Sequence, residues 1–408
     1  MAKILVYASP CSQLYPLVPV LQRLENEGHD VLVKASAGAM RLLHQANLNV
    51  SPVSDNVDFF VFDDWKSENY DSSLKTFIET LVERSPYELT DMTGALKRSK
   101  ADLALVDATC LGACIAAQAV GIPTVSWAAD LVPFPAQGIP QFGQGLPLSK
   151  STLSSIKNWA MSSSASKNFS QGADEFNEIL LKYNLMPISD FQSWFSKLPN
   201  LLYFTCEPFE YSRPWPENVH LVGPGIWEPE RWEDEEPQLE DDSREVVLLS
   251  LGSNYQNNEF LLQNAIAAFP SDSYQLIATA CSVDPSVFAD AKGAKIVRFA
   301  SHLKILKKAS CLICSGGLGI VQKALSCGVP VCAVPQFRSQ LEVAQRVVNL
   351  NVGTRLDAKK ITPSALAGAV RKAIGKKKNT AEIQSVFNST DTVSACMQVI
   401  EKTLEQND

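Results

Sequence analysis

The chain has 408 residues, 46% of them hydrophobic, and a formal net charge of −8. That length allows two separate cores, and the acidic balance argues against a nucleic-acid backbone as partner. No apolar run is long enough to cross a bilayer. The first apolar run is too short for a signal peptide, so the chain is expected to be cytoplasmic.

Taken in order, Lys3 to Ala8 reads as a first strand. A polar loop follows, then a helix from about Pro16 to Glu27 with Leu17, Val20, Leu21 and Leu24 on one face and Gly28 at its end. His29 to Ala35 is a second strand, and a short helix lies near Gly38 to Gln45. The acidic, aromatic stretch 54–73 reads as loop, followed by helix to about Lys97. Asp102 to Asp107 is a strand ending in an acid; a helix over Leu111 to Val120 closes at Gly121, and Pro123 to Ala128 is another strand. A helical region reaches about Lys182, with a further turn at Phe191 to Phe195 and a strand at Leu201 to Thr205.

The acidic, proline-containing stretch from Glu228 to Glu245 reads as a solvated linker. This gives an amino-terminal domain over 1–215, a linker over 216–245 and a second domain over 246–390. Strand–helix alternation then resumes, and an amphipathic helix closes the chain within 391–408. Alternation repeated in both halves predicts an α/β protein with two Rossmann-like, doubly wound parallel sheets facing a cleft, and ligands outside the carboxyl ends of the strands. The ten cysteines are scattered. Cys311 and Cys314 fall on opposite faces of one strand, so buried thiols rather than a metal site are expected.

The stretch with most to say runs from Cys314 through Ser315-Gly316-Gly317-Leu318-Gly319-Ile320 to Leu325. A glycine-rich turn here joins the carboxyl end of a strand to the amino end of a helix. Free N–H groups and the positive end of the helix dipole meet there, which suits an anion such as a diphosphate. Around it stand Lys323-Ala324-Leu325, Gly328-Val329-Pro330, Pro335, Ser339-Gln340, Arg346-Val347 and Gly353. In that spacing the segment 299–353 resembles the donor-sugar signature of family 1 glycosyltransferases, nucleotide-sugar enzymes of the GT-B fold. The first loop and helix, with Pro16 and Gly28-His29, resemble the same family, most closely its bacterial members that glycosylate antibiotics and macrolides.

The resemblance implies an inverting, metal-independent transfer of a sugar from UDP or dTDP to a small lipophilic acceptor, with no cofactor beyond that co-substrate. It implies a monomer or homodimer, and a last helix that packs back on the first domain. By resemblance the donor is held by Gly252, Ser253, Phe299, His302, Ser315, Gly316, Gly317, Leu318, Gly319, Ile320, Ser339 and Gln340. The acceptor falls to the segment from Trp127 to Phe142, with Trp127, Asp130 and Phe134 as candidates. Several polar positions depart from the family pattern. Gln13 stands where the catalytic histidine is expected, Ser315 where a second histidine is, and Ile320 where a hydroxyl is. Lys323 replaces the glutamate that grips the ribose diol, which admits a 2′-deoxy, dTDP-linked donor; otherwise Lys323 simply faces solvent. Ser339 replaces an aspartate. Asp107 matches the acid that orients the missing histidine. Three outcomes stay open: Asp107 acts as base directly or through water, the acceptor arrives ionised, or the chain is a catalytically silent homologue that binds ligands or an active partner.

Overall fold

The computed structural model describes residues 1–9, 13–148, 169–229, 237–252, 256–281, 283–288, 291 and 293–406. Ser253 and the helical reading across 149–168 lie outside the described residues.

The first sheet contains β1 (Lys3–Ala8), β2 (Asp30–Ala35), β3 (Asn49–Pro52), β4 (Leu103–Asp107), β5 (Thr124–Ala128), β6 (Leu201–Tyr203) and β7 (Val219–Leu221). Its order is β3-β2-β1-β4-β5-β6-β7, and the paired strands are parallel. Strand periodicity sorts the side chains onto two layers. Leu5 and Tyr7 of β1 and Ala104 and Val106 of β4 join one apolar cluster; Ile4, Val6, Leu103 and Leu105 join the other. The second sheet contains β8 (Glu245–Ser250), β9 (Tyr274–Thr279), β10 (Ala294–Val297), β11 (Ala309–Cys314), β12 (Val331–Ala333) and β13 (Gly353–Arg355), ordered β10-β9-β8-β11-β12-β13. Cys311 and Cys314 do enter different clusters, and the described cysteines are free thiols.

Six helices position the site: α1 (Val18–Asn26), α2 (Tyr70–Ser99), α3 (Leu111–Val120), α4 (Leu318–Ser326), α5 (Arg338–Asn349) and α6 (Thr392–Glu405). Pro86 sits inside the 30-residue α2. The carbonyl its ring leaves without an amide, that of Val82, accepts the Ser85 hydroxyl at 2.7 Å. Gly112 lets α3 come within touching distance of α2, because an added Cβ would lie 1.8 Å from the Ser85 carbonyl. α6 inserts Cys396, Met397 and Ile400 among Val18 and Leu21 of α1. Among the described residues no helix is long and apolar enough to cross a membrane.

The stretch read as linker is more structured at its start than its charge implied. β7 falls within it and extends the first sheet. Trp227 packs on Tyr15, with ring centroids 5.9 Å apart. Glu228 turns inward because a cation waits for it there, as described below.

Strand order reverses between β1 and β4 in one sheet and between β8 and β11 in the other. These are the crevices where doubly wound sheets bind ligands.

Candidate active site

A cavity of about 390 Å³ opens between the carboxyl ends of the two sheets. Its second-sheet half is centred on a main-chain turn. After β11 the backbone turns through Gly316 at φ +97°, where an added Cβ would lie 2.9 Å from the Gln340 carbonyl oxygen. Gly317 caps α4 without any side-chain hydrogen bond to the first turn, so the amides of Leu318, Gly319 and Ile320 remain for a ligand. An added Cβ at Gly319, or at Gly252 beyond β8, would meet nothing within 4 Å; both residues border the open space. Ser315, Ile320 and Phe299 line the same wall.

His302 and Lys323 complete that half and meet Glu228. The Lys323 ammonium lies 2.9 Å from Glu228 Oε1, and His302 Nδ1 lies 3.6 Å from it. Glu228 Oε2 accepts from the Ser301 hydroxyl at 2.8 Å and from the Leu303 amide at 3.2 Å. Burial opposes charge on Glu228, but Lys323 and His302 outweigh it and hold its pKa below the ordinary range. Burial, then Lys323, pushes the His302 imidazole down to about 4, so it is neutral at neutral pH. Lys323 therefore does not face solvent; its partner is 95 positions away, in the stretch read as linker.

The first-sheet half is apolar and aromatic. α2 turns Tyr70, Leu74, Phe77, Ile78 and Leu81 toward the cavity, a stripe at helical spacing. Phe142, Phe191 and Trp194 add further rings. This wall was missed in sequence because an apolar helical stripe reads equally well as core. Gln13 also lines the cavity.

Of the two acids at adjacent strand ends, only one reaches the cavity. Asp107 is 1% exposed; its Oδ1 accepts from the Thr109 amide and hydroxyl, both at 2.8 Å, and its Oδ2 is buried without a partner. Burial raises its pKa to about 7 against those hydrogen bonds and the nearby Arg84. Ala108 and Thr109 form the wall in front of it. Asp130 lines the cavity itself. Its Oδ1 accepts from the Leu131 amide at 2.8 Å, and its Oδ2 accepts from the Ser339 hydroxyl of α5 at 2.6 Å, across the cleft. Burial raises its pKa.

Two acceptor candidates belong elsewhere. Trp127 is fully buried in the core, on the opposite face of β5 from the cavity, and its indole N–H donates to the Gln13 carbonyl at 2.9 Å. It holds the first loop and does not line the cavity. Phe134 is buried against Trp215 and Tyr203, at ring distances of 5.2 and 5.9 Å. Gly316 likewise shapes the turn without lining the cavity. Gln340 lines it, with its amide oxygen accepting from the Gln336 amide at 3.0 Å and its nitrogen donating to Gln256 at 2.7 Å. Arg338 stacks on Phe77 at 3.9 Å and pairs with Asp64 at 2.8 Å. Among the described residues no His, Cys, Asp and Glu cluster could hold a metal ion.

Residues 276–405 match the family described as "Erythromycin biosynthesis protein CIII-like, C-terminal domain". Over 98% of its length the chain is 24% identical to 4'-demethylrebeccamycin synthase of Lentzea aerocolonigenes, covering 99% of that protein. Over 48% of its length it is 31% identical to NDP-glycosyltransferase YjiC of Bacillus licheniformis, covering 51% of that protein. The glycotransferase of kitacinnamycin superposes with a TM-score of 0.75 at 18% identity, 99% of each chain being covered. Glycosyltransferase VinC in complex with dTDP superposes with a TM-score of 0.66 at 17% identity, over 99% of this chain and 100% of that one. Two parallel sheets about one cleft give the chain the GT-B fold of these solved glycosyltransferases, and its sequence is similar to the Erythromycin biosynthesis protein CIII-like carboxyl-terminal domain and to NDP-glycosyltransferase YjiC.

Proposed function

We propose that the protein transfers a sugar, with inversion, from a nucleoside diphosphate to a small apolar acceptor. The observation that carries this reading is the shared cavity: uncapped amides of α4 on one side and an aromatic wall on the other. A diphosphate set against Leu318, Gly319 and Ile320 would exchange hydration for backbone N–H donors and the helix dipole. Those donors stabilise charge that grows on the leaving diphosphate, so the reading calls for no metal. Phe299 offers a face to the nucleobase, and Ser315 adds one hydroxyl donor. The apolar wall, with Phe142 and Trp194, suits a flat aglycone and keeps water from the anomeric carbon.

A dTDP-linked donor fits the ribose end. Lys323 supplies only donors there, and Glu228 is engaged by Lys323, Ser301 and the Leu303 amide. Among the described residues at that end of the cavity, no carboxylate is left to accept from both hydroxyls of a diol. VinC, a structural neighbour, binds dTDP. Calorimetric titration with dTDP and UDP tests the point: tighter dTDP binding is expected, and tighter UDP binding would remove it.

A second reading, a catalytically silent relative, is favoured by Gln13, whose amide cannot accept a proton at neutral pH. Turnover of UDP- or dTDP-sugars with phenolic and macrocyclic aglycones separates the two. Binding of nucleotide with no transfer on the whole panel would select the silent protein.

A further inference from the structure

The cavity needs a group that can take a proton from an acceptor hydroxyl, and Gln13 is not one. Resting on the transfer reading above, we propose that Asp130 is the general base and that Ser339 is its positioning residue. The placement follows from contacts. Gly316, in the turn that leads to the diphosphate-binding amides, packs against the Gln340 backbone. Ser339 is the next residue back, and its hydroxyl holds Asp130 at 2.6 Å. The carboxylate thus stands at the border between the anion-binding turn and the aromatic wall, where an acceptor oxygen would meet an anomeric carbon.

The other acids and imidazoles described at the cavity are ion-paired, set back behind its wall or at its far end. Asp64 lines the cavity but is paired with Arg338 at 2.8 Å and accepts from Ser73 at 3.3 Å. His302 shares Nε2 with the Thr279 hydroxyl at 2.9 Å and lies at the Lys323 end. Asp107 stands behind Ala108 and Thr109. Asp130 has one hydrogen bond on each oxygen, leaving a lone pair free on each. The charge that faces it is Arg338 of α5; together with the Ser339 hydroxyl and the Leu131 amide it favours the ionised form, against burial.

In the step, the acceptor O–H gives its proton to Asp130. Its oxygen bonds to the anomeric carbon as the bond from that carbon to the diphosphate oxygen breaks, and the electron pair leaves on the diphosphate. Asp130 returns the proton to solvent after product release. Because Ser339 and Asp130 come from opposite halves, the base is set in place only when the halves meet.

The test uses the full chain, dTDP-glucose and UDP-glucose, and substituted phenols of graded acidity. Asp130→Asn keeps a hydrogen-bond acceptor for Ser339 but cannot take a proton. It should lower kcat by roughly 10²–10⁴ with weakly acidic phenols, and far less with 4-nitrophenol at a pH where that phenol is already ionised. Calorimetric affinity for dTDP and UDP should not change. Ser339→Ala should move the acid limb of kcat to higher pH, because the lost hydrogen bond had favoured the carboxylate. Wild-type rates for Asp130→Asn on weakly acidic phenols would overturn the assignment. So would an equal loss on every phenol, which marks a role in closing the cleft. Nucleotide binding by the wild type without turnover of any phenol overturns the base alone; absence of nucleotide binding overturns the transfer reading beneath it.

Discussion

The two halves of the cavity are made of different material. The second-sheet half presents main chain: a glycine turn, uncapped amides and residues with no neighbour where a Cβ would sit. The first-sheet half presents side chains: aromatic rings from α2 and, of the two acids at the ends of β4 and β5, Asp130 alone. A main-chain site tolerates exchange of its side chains, which is how Ser315 and Ile320 can stand beside the proposed anion site without closing it. A side-chain site does not. Asp107 and Asp130 occupy neighbouring strand ends, yet a single layer of wall gives them different chemistry.

The largest expected effect falls where the halves are stitched together. Glu228→Ala leaves the Lys323 ammonium buried without its counter-charge, and should cost about 3–5 kcal/mol in denaturant unfolding at neutral pH. The sign with pH follows from the depressed pKa of Glu228. Its contribution is complete above the ordinary glutamate range and is lost as pH falls through the depressed folded value. Glu228→Gln should flatten that acid loss.

Asp107→Asn should act in the other direction. Its folded pKa is raised from 3.8 to about 7, so the wild type loses stability as pH rises across that interval. The variant should gain on the order of 2–4 kcal/mol at and above pH 7 and lose that slope. It should also keep transfer activity where Asp130→Asn does not. A matching loss of kcat in both variants would erase the distinction between the two acids.

On the main-chain side, Gly316→Ala forces a Cβ at φ +97° against the Gln340 carbonyl. About 1–3 kcal/mol of strain is expected, read as a lower urea midpoint together with weaker dTDP binding. Ile320→Thr should sharpen the same half by adding a hydroxyl donor, tightening dTDP by about 1 kcal/mol in calorimetry. The smallest effect is set for Trp127→Phe. It deletes the indole donor to Gln13 and should cost about 1 kcal/mol or less beyond the packing change.

The parts built from local pattern were readable in the chain. Apolar runs marked the strands of both sheets, and the glycines together with the signature around them marked the turn at Ser315 to Gly317 that borders the cavity. What stayed hidden were partnerships across long separations. Ser339 meets Asp130 at 209 positions' distance, and Lys323 meets Glu228 at 95. Neither pair has a periodicity or motif, since it is created only when the two sheets come together. The acidic start of the linker looked solvated for the same reason: charge along a sequence does not disclose a buried cation opposite. Trp127 and Phe134 misled in the reverse sense. Aromatic residues near a strand end are as apt to fill a core as to line a pocket, and side-chain alternation sent Trp127 to the far face of β5.

The most direct measurement is a crystal structure of the protein soaked with dTDP or UDP. The account predicts diphosphate oxygens at hydrogen-bond distance, about 2.7–3.2 Å, from the amides of Leu318, Gly319 and Ile320, with the base beside Phe299. Nucleotide bound elsewhere, or that notch empty at saturating nucleotide, would contradict it.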